Sequence, residues 1–157
     1  MTRTAAREIA ILLGFSATAA NGGETAQESM DRFFEPEHYA SMAEENPLFS
    51  EYPDAQQMEY IRTLVTLVAE RREALDGYIE KYARGWKVGR ISRTAGAVLR
   101  CAMSEILWLP EVPNAAAINE AVELAKKYED EDTVSFINGI LGGFVRGEVE
   151  QKQEEAE

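Results

Sequence analysis

The chain has 157 residues, of which 45% are apolar, and this is enough to build one domain or two small helical subdomains that share a core. The single cysteine, Cys101, excludes an intrachain disulfide and lies in a helical pattern, where a buried structural thiol is expected. No run of about 18 uncharged apolar residues is present, and Arg7 and Glu8 interrupt the apolar stretch near the N-terminus. The sequence therefore predicts a soluble cytoplasmic protein without a membrane span or a signal peptide.

The formal net charge of -12 argues against nucleic-acid binding, because affinity for phosphates depends on lysine and arginine. The charge is unevenly distributed, however. Residues 24–59 hold ten acidic residues and one arginine, a net -9, and residues 148–157 hold five acidic residues and one lysine, a net -4, which leaves +1 for the rest. The segment 81–100 has no acidic residue and six cations, at Lys81, Arg84, Lys87, Arg90, Arg93 and Arg100. Either a solvated face or a surface for a polyanion or a partner fits this segment.

Two helices are predicted in the first third of the chain. Residues 5–17 place Ala5, Ile9, Leu12 and Leu13 on one stripe, and residues 26–34 direct Met30, Phe33 and Phe34 inward. The next segment, 35–57, has three prolines, many acidic residues and no sustained period. It is predicted to be a loop or an irregular acidic insertion.

The rest of the chain also follows helical periods. Residues 58–82 predict one long amphipathic helix, and residues 84–92 a break. A further helix over 95–107 ends before Pro110 and Pro113. Asn114 is predicted to cap the next helix, whose buried stripe is Ile118, Ala121, Val122 and Ala125. Because no strand-like alternation of useful length is present, the predicted fold class is all-α.

A last helix begins near Asp132, and its core stripe is predicted at Val134, Ile137, Leu141, Phe144 and Val145. Phe136 does not belong to this stripe, since it lies about 200° from Val134 around the helix. Its neighbours on the wheel are Gly139 and Gly143. Such a ring suits either a contact with another helix of the fold or a stacking platform for an unpaired base.

The first helix has a comparable flank. Arg7, Ile11 and Phe15 follow one another at intervals of four residues, and Arg3 lies one turn earlier. A guanidinium and an aromatic ring on one flank suit a nucleotide strand, and they also suit an ordinary packing edge, which is the commoner arrangement.

The segment VPNAAAINEAVELAKKYEDEDTVSFINGIL, supported by GWKVGRISRTAGAVLRCAMSEI and by AREIA near the start, resembles the NusB family of bacterial transcription antitermination factors. The resemblance covers roughly residues 3–34 and 58–146. It implies an all-helical RNA-binding fold of two small helical bundles with about seven helices. The implied layout is a single domain over 1–150, with subdomains of about 1–82 and 83–147, the acidic insertion 35–57 and an acidic tail at 148–157.

The resemblance also implies function and partners. A family member is expected to bind the boxA element of ribosomal RNA transcripts together with the ribosomal protein NusE, within the RNA polymerase antitermination complex. Carried over by match, the implied RNA-binding residues are Arg3, Arg7, Phe15, Asp132 and Phe136. The region from Trp86 to Leu107, with Trp86, Arg90 and Arg93, is the expected partner surface.

An enzyme is not expected. His38 is the only histidine, which removes Ser-His-Asp, Cys-His and multi-histidine metal arrangements, and no cofactor or metal site is predicted. The remaining alternative is a helical protein-interaction module, or a self-associating member of this family with little direct RNA binding. A homodimer is therefore left open.

Overall fold

The structure is a computed structural model that describes residues 1–18, 25–83 and 91–150, and of residues 15–18 it describes the backbone alone. These ranges contain eight α-helices and no strand, which confirms the all-α prediction. The helices are α1 Arg3–Thr18, α2 Ala26–Phe33, α3 Pro36–Ser41, α4 Ala55–Glu70, α5 Arg72–Tyr82, α6 Arg93–Trp108, α7 Asn114–Tyr128 and α8 Glu131–Phe144. A 3-10 turn spans Pro47–Phe49, and a π-helical turn, Val145–Glu150, follows α8.

The chain divides into two compact units, Met1–Glu70 and Arg71–Glu157. The division falls earlier than the boundary between 82 and 83 that the family resemblance implies. It coincides with the end of α4, where the predicted single helix over 58–82 is wrong: α4 ends at Glu70, and Arg71 has the non-helical angles φ -106° and ψ 16°. The apolar positions keep their helical phase from Val68 to Leu75, so periodicity does not mark the break.

In the first unit, α1 packs on α4. The shared core consists of nearly solvent-free apolar side chains from both helices, Ala6, Ile9, Ala10 and Leu13 of α1 and Ile61, Leu64, Val65 and Val68 of α4. Full burial of one such large aliphatic side chain contributes about 1.5–3 kcal/mol. Met30 and Phe34 complete this core, as predicted for the second helix.

The segment 35–57 is ordered, so the prediction of an irregular insertion is wrong. Two of its residues are N-caps. The Glu35 carboxylate accepts hydrogen bonds from the amide N–H groups of Glu37 and His38, and the Asn46 side chain accepts one from the amide N–H of Leu48. Prolines occupy the first position of α3 and of the 3-10 turn, where a missing N–H costs nothing. The segment also supplies Tyr39, Phe49 and Tyr52 to a cluster of edge-to-face and stacked rings with Phe33 and Phe34.

In the second unit, α5 to α8 enclose an apolar core. Its largest solvent-free side chains are Leu75, Ile79, Leu99, Met103, Ile137, Ile140, Leu141 and Phe144. Cys101 is buried, as predicted. The cap of α7 is Pro113 rather than Asn114, which is already the first helical residue. The predicted stripe of α7 needs correction too, since Ala117 and Leu124 are buried in place of the half-exposed Ile118 and Val122.

The π-helical turn is joined to the end of α5. The Glu148 carboxylate accepts hydrogen bonds from Lys81 Nζ at 2.6 Å and from Tyr82 Oη at 2.8 Å. The hydrogen bond to Glu148 raises the pKa of Lys81, whereas burial and then the same carboxylate raise the pKa of Tyr82. A Cβ at Gly147 would overlap the Tyr82 hydroxyl, so this approach requires glycine.

Candidate nucleic-acid interface

Helix α8 presents three faces that lie about 120° apart. Ile137, Ile140, Leu141 and Phe144 form the core face, which confirms most of the predicted stripe. Val134 is the exception, because it is half-buried and belongs to a second face with Glu131, Ser135 and Asn138. The third face holds Asp132, Phe136 and Gly139. Each face therefore has its own environment, and Phe136 lies on a different face from the side chains that form the core.

The third face is partly open to solvent. Asp132 and Gly139 are exposed, and Phe136 is half-buried. Apart from the two neighbouring residues and the backbone of the surrounding helical turns, no atom of the described residues lies within 4 Å of the place that a Cβ on Gly139 would take. Gly143, one turn later, is different, because a Cβ there would lie 3.3 Å from Cδ1 of Tyr82. Of the two glycines beside Phe136, Gly143 is therefore packed against Tyr82. Gly139 is the one that leaves room for a ligand.

The start of α8 is negatively charged. Asp130 is its N-cap, and one carboxylate oxygen accepts the amide N–H of Thr133 at 2.8 Å. This hydrogen bond lowers the pKa of Asp130. Glu131 and Asp132 follow in the first turn, where carboxylates are stabilised by the partial positive charge of the helix N-terminus. An RNA strand at Phe136 would approach across these charges, so it needs cations from elsewhere.

The two arginines predicted on α1 lie in different environments. Arg3 is exposed, and its guanidinium carbon lies 4.2 Å from the centroid of the Tyr60 ring. Arg7 is only 5% exposed, and its guanidinium carbon lies 5.9 Å from the same centroid. Ile11, on the same flank, is also buried. At Arg7 and Ile11 the flank is therefore a packing edge. Phe15 lies in α1, and its side chain is outside the described residues.

Tyr60 contacts the predicted RNA-binding residue Arg3, and the sequence did not single it out. It lies on α4 and is 7% exposed, so its ring belongs to the core of the first unit while it contacts an exposed cation. Its position next to Ile61 in an amphipathic pattern predicts that the ring is buried, but it does not predict a contact with Arg3. Only the packing of α1 on α4 brings this ring to Arg3.

Of the predicted partner surface, Trp86 and Arg90 lie outside the described residues, and Arg93 is exposed at the first position of α6. Ser92 caps this helix by accepting the amide N–H of Ala95 at 3.1 Å, and its hydroxyl donates to Glu129. Two other cations of the 81–100 segment are neutralised locally, because Lys81 pairs with Glu148 and Arg100 pairs with Asp76 at 2.7 Å. At these two positions the segment is a balanced face.

A groove of about 730 Å³ runs between α7 and α8. Its larger apolar residues are Ile118, Val122 and Val134, and Asn119, Lys126, Glu131 and Asn138 are among the polar residues around it. The sequence placed the three apolar residues in the core, since their period is that of the buried stripes. Within the described residues, no group of His, Cys, Asp and Glu could hold a metal ion. None of the described helices is long and apolar enough to cross a membrane.

Comparisons with known proteins agree with this fold. The chain is 46% identical over 94 residues to the transcription antitermination protein NusB of Ruminiclostridium cellulolyticum, a match that covers 60% of this chain and 65% of that protein. It is 30% identical over 145 residues to the NusB protein of Clostridium botulinum strain Kyoto, which covers 92% of this chain and 100% of that one. Among solved structures, a chain from the crystal structure of antitermination factors NusB and NusE in complex with dsRNA is similar at a TM-score of 0.70 and 24% identity, over 92% of this chain and 96% of that chain.

The sequence profile of the NusB family matches residues 4–146, which include α4, the whole of α8 and all of α1 after its first residue. The match therefore contains both helices that carry the predicted RNA contacts, apart from Arg3. Together with the full-length similarity to the Clostridium botulinum protein, this shows that the chain belongs to the NusB family.

Proposed function

We propose that this protein is an RNA-binding transcription antitermination factor that binds the boxA element of ribosomal RNA transcripts together with the ribosomal protein NusE. Its membership of the NusB family supports this function, as do relatives that are named transcription antitermination proteins. A structurally similar chain comes from a crystal structure of NusB and NusE with dsRNA. In this role the protein acts in the cytoplasm, within the antitermination complex of RNA polymerase.

The observation that carries the RNA-binding proposal is the third face of α8. A half-buried Phe136 between exposed Asp132 and exposed Gly139 offers a ring to a base, and the open space at Gly139 admits the chain that carries the base. Single-stranded RNA is recognised by stacking of unpaired bases on such rings. The Asp132 carboxylate can accept a hydrogen bond from a base amino group, which is a contact that a duplex would hide.

The distribution of cations supports a requirement for NusE. Arg3 is exposed, whereas Arg7 is buried, and Glu131 and Asp132 repel phosphates near Phe136. A protein with net charge -12, and with few exposed cations among the described residues of its proposed RNA surface, gains little from counterion release. We propose that NusE binds at Trp86, Arg90 and Arg93 and that RNA affinity rises in its presence. The protein acts by binding, without catalysis or a cofactor.

The test is a titration of single-stranded boxA RNA with the full chain, alone and with NusE, over a range of salt concentrations. We expect weak binding alone and tighter binding with NusE, with a salt slope of about -0.7 for each phosphate contacted. Phe136→Ala should lower affinity by about 1–3 kcal/mol. Val134→Ala, on another face of the same helix, is the matched control and should bind as the parent does.

Partner binding is tested separately by a pull-down with NusE. Reversal of Arg90 and Arg93 to glutamate should abolish capture, whereas Arg146→Glu, an exposed charge on the turn after α8, should not. Tight binding of boxA RNA without NusE contradicts the proposed cooperation. A protein that self-associates and leaves boxA RNA unbound with and without NusE contradicts the RNA-binding proposal itself.

A further inference from the structure

The exposed side chain of Arg3 contacts the buried ring of Tyr60. Arg3 is the first residue of α1 and is exposed, so its side chain would ordinarily sample many rotamers in water. Instead its guanidinium carbon lies over the Tyr60 ring, 4.2 Å from the centroid. We find no ion pair to Arg3 among residues 1–18, 25–83 and 91–150. The ring is therefore the group that holds this cation.

Tyr60 is itself held rigidly. It is 7% exposed on α4, beside the solvent-free Ile61 and one turn from the solvent-free Leu64, both in the shared core with α1. A ring fixed in a packed core has few alternative rotamers. It therefore fixes the cation that lies over it, on the surface of the first unit.

The shape of a guanidinium allows it to use two partners at once. Its flat face is attracted to the electron-rich face of an aromatic ring, and its five N–H donors lie in the plane, pointing outward. A guanidinium over Tyr60 therefore keeps its donating edge available for the two oxygens of a phosphate. A lysine has no such face and would be held only as a point charge.

The two neighbouring arginines differ from Arg3 in burial and in pairing. Arg7 lies 5.9 Å from the same centroid and is buried, and buried charges are engaged within the protein. Arg62, also on α4, pairs with Asp31 at 2.9 Å. Arg3 is thus the exposed member of this group whose charge no described carboxylate neutralises.

We propose that Tyr60 is a positioning residue for RNA binding: its buried ring holds the Arg3 guanidinium in the orientation that receives an RNA phosphate. This inference rests on the proposed function. Its physical basis is preorganisation, since a cation that is already ordered loses less conformational freedom when the phosphate arrives. The Tyr60 ring contacts no RNA in this arrangement and acts through Arg3 alone.

The test is a double-mutant cycle on the full chain with NusE and single-stranded boxA RNA at low salt. The variants are Arg3→Gln, Tyr60→Met, their combination and Tyr60→Phe. We expect Tyr60→Met to weaken RNA binding about two- to fivefold, the range that corresponds to a cation–π contact at an exposed site. Tyr60→Phe keeps the ring and should bind as the parent does. In the Arg3→Gln background, Tyr60→Met should have no further effect.

Tyr52→Met is the matched control, because Tyr52 is an aromatic residue of the same unit that makes its hydrogen bond to the Phe34 carbonyl. Its RNA affinity should equal that of the parent. If Tyr60→Met costs the same affinity in the parent and in the Arg3→Gln background, the positioning role is overturned and Tyr60 is purely structural. Unchanged affinity of folded Tyr60→Met also overturns it.

Two results separate this inference from the proposed function. If Arg3→Gln leaves RNA affinity and its salt slope unchanged, the RNA contact of Arg3 fails, whatever Tyr60 does. If Arg3→Gln weakens binding and Tyr60→Met does not, only the positioning role fails. Should Tyr60→Met not fold, the proton chemical shifts of the Arg3 δ-methylene in the parent protein decide the matter. Shifts moved upfield by the ring, before and after RNA addition, support the proposal, and random-coil shifts overturn it.

Discussion

Helices α1 and α8 both carry predicted RNA contacts, yet they are buried in different ways. In α1, Ala6 to Ile11 are buried without interruption, and Leu13 and Gly14 are buried as well. In α8 the buried residues are confined to Ile137, Ile140, Leu141 and Phe144. A helix that is covered on most sides leaves no free flank, whereas a helix with one buried stripe has a true outer surface. On α8 a residue off the stripe therefore lies on an outer surface, whereas on α1 Arg7 and Ile11 lie off the predicted stripe and are buried all the same.

The two helices also differ in what their off-stripe residues do. On α1 the flank that suggested a nucleotide strand contains Arg7 and Ile11, which are both buried. On α8 the off-stripe residues Asp132 and Gly139 are exposed, with the half-buried Phe136 between them. The same sequence pattern, a polar or aromatic residue outside the main stripe, thus marks packing in one helix and an accessible face in the other.

The largest effect expected from this comparison is on α8 itself. Phe144→Ala removes a ring with 0% exposure that contacts the rings of Tyr78 and Tyr82, and it should lower the free energy of unfolding by about 3–5 kcal/mol. Phe136→Ala removes a half-buried ring and should lower it by about 1 kcal/mol. Urea unfolding of both variants measures the difference. Equal losses would mean that Phe136 belongs to the core and that α8 has no separate outer face.

The next effect contrasts the two arginines of α1. Arg7→Ala should lower the free energy of unfolding by about 3 kcal/mol, because it leaves the groups around a 5%-exposed cation without their partner. Arg3→Ala should lower it by less than about 1 kcal/mol, since among the described residues the variant loses the contact with Tyr60, which lies at an exposed site. Among the folded molecules, Arg3→Ala should weaken RNA binding more than Arg7→Ala does. A protein in which Arg3→Ala is the more destabilising variant would reverse the assignment of the two residues.

Much of the fold follows from local patterns. The helical spacing of apolar residues predicted α1, α2, α6, α7 and α8, because each of these helices buries apolar residues at that spacing. The period could not reveal the end of α4, since the apolar phase continues across Arg71 into α5. It also failed in 35–57, where the prolines and acidic residues indicate irregular structure, although Glu35 and Pro36 begin α3 and Asn46 and Pro47 begin the 3-10 turn.

The candidate site was less predictable, because it depends on contacts between helices. Phe136 could be singled out, since its position relative to the stripe of α8 is a property of one helix. The burial of Arg7 and the contact of Tyr60 with Arg3 could not, since both arise from the packing of α1 on α4. Ile118 and Val122 have the spacing of core residues, yet they line the groove between α7 and α8, which depends on how these two helices pack.

The smallest expected effect concerns the N-caps, which differ in charge between the two helices. In α1 the neutral Thr2 hydroxyl accepts the amide N–H of Ala5 at 3.0 Å, and in α8 the Asp130 carboxylate accepts that of Thr133. The pKa of Asp130 is lowered in the folded protein by this hydrogen bond, below its usual 3.8. A carboxyl with a lowered folded pKa stabilises the fold above its unfolded pKa, and that stabilisation is lost as the pH falls through the folded pKa.

Asp130→Asn keeps an acceptor at the cap and removes the charge. The parent should therefore be more stable than Asp130→Asn at pH 7, and the difference should disappear as the pH falls below about 3.8. Thr2→Ala should destabilise the protein equally at both ends of this range, because a hydroxyl does not titrate there. Urea unfolding at pH 7 and pH 3 provides the comparison, at constant ionic strength. A stability difference for Asp130→Asn that is independent of pH would show that the charge of Asp130 contributes nothing to the start of α8, and that the two helices are capped in the same way.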